Sequence, residues 1–222
     1  MRIKKPLKTA GISGIVLLVS VVVFTIINQF LLIFLGQTPL MVLISVIESF
    51  VIWGSSILFA YGFIVLGRKY KGKLLVVMSW ISIIIAIVIL VFSLISAVFS
   101  SIPNISAQTD PIILGEDNFL VPPQDMDPMN PGLQEFNQDM IQTMALFIIG
   151  WVLVSIILGA FTILFGLGLL KIRDKVEFAK PAAILNIISG ATLIILIGWF
   201  VAIAGTILEI IMFFNASKKL EK

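Results

Sequence analysis

The sequence predicts an all-α integral membrane protein with six transmembrane helices, both termini in the cytoplasm and one long, acidic, proline-rich extracytoplasmic loop. Hydrophobic residues make up 59% of the 222 residues, whereas soluble domains contain about 45–50%. Several uncharged apolar runs exceed the ~18 residues that indicate a membrane span rather than a buried core helix. The 15 Lys and Arg residues all fall in four short clusters beside these runs. Such clusters mark the cytoplasmic side of a membrane protein.

The first half of the chain contains three predicted spans, at about 10–35, 40–67 and 74–99. Span 1 follows a basic N-terminal stretch, and its apolar run of about 25 residues is too long for the ~7–15-residue core of a cleavable signal peptide. A turn at 36–39 separates spans 1 and 2, because it begins with Gly and ends with Pro, which both break helices. The basic cluster at 68–73 separates spans 2 and 3.

The segment 100–141 is predicted to be an extracytoplasmic loop. Between 100 and 139 it contains no Lys or Arg, seven acidic residues and six of the nine prolines. Its proline density and low apolar content argue against a packed fold of its own. Asn104, in the sequence Asn-Ile-Ser, is a candidate acceptor for N-glycosylation on this outer side. The stretch 132–144 lacks strong helix breakers, so we expect helical turns ahead of the fourth span.

The last three spans are predicted at about 144–170, 182–197 and 200–216, with a basic cluster at 171–180 after the first of them. A single crossing after this cluster would place the C-terminal lysines outside, whereas two crossings keep them in the cytoplasm. At about 1.5 Å per residue the stretch 181–217 is about 55 Å long, which is enough for two short spans of ~27 Å. The turn is predicted near Gly198 and Trp199, with the tryptophan at the outer interface.

Only two acidic residues lie inside the predicted spans, Glu48 and Glu209. Asn28 and Glu48 are about equally far from the first turn, and Asn186 and Glu209 are about equally far from the last one. Each hairpin should therefore place one carboxyl and one amide at the same depth, and Gln29 is a further polar candidate. Polar pairs between membrane helices contribute about 0.6 kcal/mol on average, so helix packing is the simplest role. The alternatives are a proton or cation path, and a partner subunit that supplies a cation to either carboxyl.

Small residues are concentrated in the last three spans. Ser155 and Gly159 fit the small-xxx-small pattern that allows two membrane helices to approach closely. Gly166, Gly190 and Gly205 are the other helix-packing candidates. We interpret these residues as contacts of the three spans with one another. An oligomer or partner face is the alternative.

The composition argues against most enzyme classes. The chain has no Cys and no His, so it lacks a thiolate nucleophile, a soft metal site and the commonest general base. It contains no Gly-x-Ser-x-Gly elbow, no phosphate-binding loop and no Asp inside a predicted span. We therefore expect a protein that is not an enzyme and that holds no cofactor and no metal.

Three segments resemble small multi-pass membrane proteins of archaea. They run from Tyr61 to Tyr70 (YGFIVLGRKY), from Gly166 to Lys175 (GLGLLKIRDK) and from Gly190 to Lys219. The resemblance covers roughly half of the chain and rests on Gly, Lys and aliphatic residues. It implies an archaeal-type cell membrane, and it implies no activity and no functional residue.

The function expected from the sequence is that of a non-enzymatic accessory, scaffold or structural membrane component. Its expected partners are the lipid bilayer and either a membrane protein or further copies of itself. The net charge of +3 does not indicate nucleic acid, because the basic residues flank apolar runs. The alternative function is a small ion- or proton-coupled transporter or channel that uses Glu48 and Glu209. Six spans would allow two inverted repeats, but the basic cluster at 68–73 has no counterpart at the last turn.

Overall fold

The regular structure of the chain is helical throughout the part that the structure describes. The computed structural model describes residues 4–35, 39–100, 131–195 and 197–219. The helices are α1 (Lys4–Leu35), α2 (Pro39–Lys69), α3 (Lys73–Ser100), α4 (Pro131–Leu170), α5 (Ala179–Thr192) and α6 (Ile197–Lys219), with a 3-10 turn at Leu193–Ile195. The all-α class predicted from the sequence is confirmed for these residues.

Among the described residues, five helices are long and apolar enough to cross a membrane. Their candidate spans are Lys5–Leu31, Leu40–Lys69, Lys73–Ala97, Gln142–Leu170 and Ile197–Lys219. The sixth apolar helix, Ala179–Ile195 with its 3-10 turn included, is shorter. Apolar runs of this length form helices because, in lipid, every backbone polar group must find its hydrogen-bond partner within the same segment. The chain is therefore a helical membrane protein.

The chain divides into two compact units. The first consists of Met1–Ile102 and Ser155–Lys222, and the second of Pro103–Val154. In the second unit, α4 begins at Pro131, well ahead of its apolar span, so the helical turns expected before the fourth span are present. Residues 101–130 of the predicted loop, including Asn104, lie outside the described residues. All the sites discussed below belong to the first unit.

One end of the first unit holds the basic residues. Leu7, Leu75, Ile172 and Phe213 are fully buried there in a single apolar cluster. These residues come from α1, from α3, from the connection after α4 and from α6, and each lies close in the sequence to one of the four basic clusters. Their packing therefore brings the described Lys and Arg residues of all four clusters to the same end of the unit.

The connection between α4 and α5 is an ordered turn at this basic end. Ile172 and Val176 are 0% and 3% exposed, although their neighbours in the chain are charged. The backbone N–H of Val176 donates to the carbonyl of Ile172 over 3.1 Å. A spacing of four residues places both side chains on one face of a helical turn, and that face closes the apolar cluster.

The chain reverses direction between α5 and α6, where Ser189 Oγ donates to the carbonyl oxygen of Gly198 over 2.7 Å. The reversal begins with the 3-10 turn at Leu193–Ile195, a few residues before the turn predicted near Gly198 and Trp199. Gly198 lies instead in the first turn of α6, where an added Cβ atom would be 2.5 Å from the carbonyl oxygen of Ser189 and the nitrogen of Leu193. The turn prediction was misplaced because this glycine is needed for close packing of the hairpin.

Candidate functional site

A carboxyl–amide pair joins the two helices of the last hairpin. The side-chain nitrogen Nδ2 of Asn186 on α5 donates to Oε1 of Glu209 on α6 over 2.7 Å. The same nitrogen also donates to the carbonyl oxygen of Ala182 over 3.0 Å, which holds it in place. Glu209 is 4% exposed. The amide and carboxyl expected at equal depth are in direct contact in the structure.

A second pair joins the first two helices. Nδ2 of Asn28 on α1 donates to Oε2 of Glu48 on α2 over 2.7 Å. Both side chains are only half-buried, in contrast to Glu209. Gln29, the neighbouring candidate, is exposed and forms no hydrogen bond with a described residue. The structure therefore brings together four of the five polar candidates, as two pairs on separate hairpins.

Glu209 has few partners for a carboxyl buried so deeply. Among the described residues, Asn186 is its only hydrogen-bond partner, and no donor reaches Oε2. The ion pairs among the described residues lie at the basic end, where Lys219 Nζ is 3.4 Å from Glu177 Oε2 and Arg173 contacts Asp174. A buried carboxylate is costly unless it is paired and fully hydrogen-bonded, so Glu209 stands out among the described polar side chains of this unit as one that a further partner would stabilise.

Glu209 lines a cleft of about 200 Å³ in the first unit, to which all six helices contribute. The lining is mostly apolar, with one carboxyl, one amide and three hydroxyl groups. Its residues are Leu17, Ser56, Phe59, Ala60, Phe63, Ser82, Phe161, Thr162, Phe165, Asn186 and Glu209. An apolar cleft with a few convergent polar groups is the usual form of a small-molecule site.

Aromatic side chains form much of the cleft wall. The rings of Phe59 and Phe63 meet edge to face, with centroids 5.3 Å apart, and Phe63 and Phe165 meet in the same way at 4.7 Å. Phe213 packs behind them, 4.6 Å from Phe63. Edge-to-face contacts of this kind are favourable beyond the area that they bury. They hold the rings of three different helices in a fixed arrangement beside Glu209.

Two hydroxyl groups of the lining donate to their own helices. Ser56 Oγ donates to the carbonyl of Ile52 over 2.9 Å, and Thr162 Oγ1 donates to that of Leu158 over 2.8 Å. This i to i−4 bond is a common way for Ser and Thr to satisfy their hydroxyl hydrogen within a helix. The hydroxyl oxygens keep lone pairs for a donor in the cleft. The polar lining is therefore rich in acceptors.

Three of the five predicted packing residues hold α4 against α5. A Cβ atom added at Gly159 would be 2.5 Å from the carbonyl oxygen of Gly190, and one added at Gly190 would be 2.5 Å from that of Gly159. A Cβ atom added at Gly166 would be 2.8 Å from the carbonyl oxygen of Ala183. Helices approach this closely only where side chains are absent.

The other two packing candidates are Gly205 and Ser155. A Cβ atom at Gly205 would be 3.6 Å from the Cβ atom of Leu185, which is an ordinary contact. Ser155 is buried, with 3% of its surface exposed. A small residue at Gly205 is therefore compatible with the packing but is not required by a backbone contact, unlike Gly159, Gly166 and Gly190.

Comparisons with protein-family models, curated proteins and solved structures give no match. The site is therefore interpreted from its own geometry and chemistry.

Sequence reasoning found Glu209 and Asn186 but missed the rest of the cleft. A signal was present on α2, where positions 56, 59, 60 and 63 lie on one helix face and carry Ser, Phe, Ala and Phe. On α4, the residues at 161, 162 and 165 repeat this combination of aromatic rings and a hydroxyl. In an apolar span such a face does not differ in hydropathy from its surroundings, so periodicity alone did not reveal it.

Proposed function

We propose that the protein is a non-enzymatic component of the cell membrane, an accessory or scaffold subunit that assembles with another membrane protein. The observation that carries this proposal is that the polar side chains of the helices bond to one another or to the helix backbone. Asn28 and Asn186 donate to Glu48 and Glu209 across pairs of helices, which is a packing role. The hydroxyl groups of Ser56 and Thr162 donate to backbone carbonyls of their own helices. Nucleophilic catalysis needs a hydroxyl hydrogen-bonded to a base, and no such pair occurs among the described residues.

We also propose six crossings with both termini in the cytoplasm. The gathering of the described basic residues at one end of the first unit supports this topology, because Lys and Arg mark the cytoplasmic side. The 14 residues of α5 span about 21 Å before the 3-10 turn, which makes this crossing shorter than the ~30 Å hydrocarbon core. The reversal after α5 then returns Lys218 and Lys219 to the basic end, and the acidic loop lies outside.

The proposed surroundings are the lipid bilayer and a membrane-protein partner, without nucleic acid. Many apolar side chains of the first unit face outward, among them Val22 and Val88, which are 59% and 60% exposed. Apolar side chains in such positions suit lipid tails or the helices of a partner. The resemblance to archaeal membrane proteins remains a prediction.

Intact-complex mass analysis tests the accessory role. The tagged full-length protein is extracted gently from its native membrane, and we expect a second protein at fixed stoichiometry. Glu48→Gln and Glu209→Gln should lower the yield of this complex without changing ion flux. A lone monomer, or a symmetric oligomer of this chain alone, would contradict the accessory role and favour the second candidate.

That second candidate is a small ion- or proton-coupled transporter or channel. The position of Glu209 in the lining of a cleft favours it, whereas Glu48 does not line that cleft. The test uses purified protein in liposomes under a pH or sodium gradient. A dye inside the liposomes reports the flux of protons or sodium ions. Flux that disappears in Glu209→Gln would support transport, and the absence of flux in the wild type would remove it.

A further inference from the structure

We propose that the cleft at Glu209 is a binding site for a small organic cation, a compound with one protonated amine and a ring-sized apolar body. This inference goes beyond the accessory role, because it concerns a ligand inside the first unit and not the assembly of the protein. It starts from the two carboxyl oxygens of Glu209, which differ in their hydrogen bonds. Oε1 accepts a hydrogen bond from Asn186, and no described residue donates to Oε2.

The charge that complements this carboxyl is missing from the described part of the protein. No described Lys or Arg pairs with Glu209, and the ion pairs of these residues lie at the exposed basic end. The carboxyl is 4% exposed and lines the cleft. A carboxylate in such a place is stabilised by a partner that brings positive charge and a donor together. A protonated amine supplies both.

The aromatic wall favours the same ligand. Phe59, Phe63 and Phe165 line the cleft beside Glu209, and aromatic rings attract cations through the negative charge of their faces. The hydroxyl oxygens of Ser56 and Thr162 offer acceptors for further N–H groups, because their own hydrogens are bonded to Ile52 and Leu158. The wall and the polar groups together match an ammonium group attached to an apolar ring.

The dimensions of the cleft set the size of the ligand. Its volume is about 200 Å³, and an apolar cavity of ~150 Å³ admits a benzene ring. A single ring with a short aminoalkyl arm therefore fits, whereas a lipid with two acyl chains does not.

A bare metal ion fits the site less well than an amine. Calcium takes 6–8 oxygen ligands and magnesium requires near-octahedral geometry. The cleft offers one carboxyl, the side chain of Asn186 and three hydroxyl groups among a majority of apolar residues. The Asn186 nitrogen already faces the carboxyl as a donor, so it adds no ligand on that side. The observed groups thus favour an organic cation.

Binding of benzylamine, compared with its neutral analogue benzyl alcohol, tests the proposal. The full-length protein in detergent is titrated with each compound, and an apparent Kd is taken from the rise of the thermal unfolding midpoint. We expect benzylamine to bind at least about tenfold more tightly than benzyl alcohol, the ratio expected from one charge-assisted hydrogen bond. Glu209→Gln, which keeps the shape of the side chain, should abolish this preference.

Glu48→Gln is the matched control, because it changes an amide-paired carboxyl of another hairpin that lies outside the cleft lining. It should leave the preference for benzylamine intact. Ala60→Leu should weaken the binding of both compounds by filling the cleft. Equal affinities for the two compounds, no binding of either one, a preference that survives Glu209→Gln, or benzylamine binding unaffected by Ala60→Leu would each overturn the proposal.

Discussion

The amide nitrogen of Asn186 and the Oε1 atom of Glu209 are 2.7 Å apart, on opposite arms of a helical hairpin. The two residues are 23 positions apart in the chain, and the pair holds α5 against α6 at the edge of the cleft. A donor and an acceptor so placed stabilise the hairpin and also fix the direction in which the carboxyl points. The first prediction concerns this pair.

Asn186→Leu should lower the free energy of unfolding by about 1–2 kcal/mol, because it leaves the buried carboxyl without a donor. Glu209→Gln should cost less, since the new amide still accepts from Asn186. Unfolding by a denaturing detergent in mixed micelles measures both values. Replacing both residues by Leu should recover part of the loss, because no polar group then remains unpaired. Equal effects of Asn186→Leu and Glu209→Gln would contradict this account.

The pair on the first hairpin should contribute less. Glu48 is half-buried, whereas Glu209 is 4% exposed, so the loss of the amide partner of Glu48 leaves a less deeply buried carboxyl unpaired. We expect Asn28→Leu to lower the free energy of unfolding by about 0.6 kcal/mol, the average for such pairs between membrane helices. The same unfolding experiment applies, with Asn186→Leu measured in parallel. A loss as large as that of Asn186→Leu would show that burial does not decide the strength of the two pairs.

The contact of α4 with α5 depends on two facing glycines. Gly159→Leu or Gly190→Leu should destabilise the protein by about 1–3 kcal/mol, because a Cβ atom at either position meets the backbone of the facing helix at 2.5 Å. Gly54→Leu is the control, since an added Cβ atom there has no neighbour within 4 Å. The measurement is again the free energy of unfolding. If Gly54→Leu were as damaging as Gly159→Leu, the loss would reflect the removal of glycine and not the contact.

The proposed topology predicts which positions a membrane-impermeant maleimide can label. The chain has no Cys, so single substitutions need no altered background. Lys71→Cys, Asp174→Cys and Lys218→Cys should react only after the cells are permeabilised, because all three positions belong to the basic end. Glu116→Cys, in the acidic loop, should react in intact cells. Labelling of Lys218→Cys from outside would mean that the last hairpin does not cross the membrane twice.

The two carboxyl–amide pairs were predictable because each lies within one hairpin. A short turn and a constant rise per residue fix which positions on the two arms share a depth. Asn28 with Glu48 and Asn186 with Glu209 therefore follow from counting along the chain. Gln29 shows the limit of this reasoning, because depth alone does not say which face of a helix a residue occupies. It lies one position from Asn28 and remains exposed.

The sequence by itself determined the helical membrane class, the approximate extent of the long apolar helices and the pairing of polar residues within each hairpin. Long uncharged runs leave a backbone in lipid no alternative to helix, and charge marks where each run ends. Only the tertiary structure decided that Gly159 contacts Gly190 and that Gly198 lies in a close helix contact and not in the turn. It also decided that Phe63 and Phe165 line the same cleft as Glu209. These contacts depend on how helices rotate and cross, which is set by the fit of side chains across the whole unit and not by spacing within one segment.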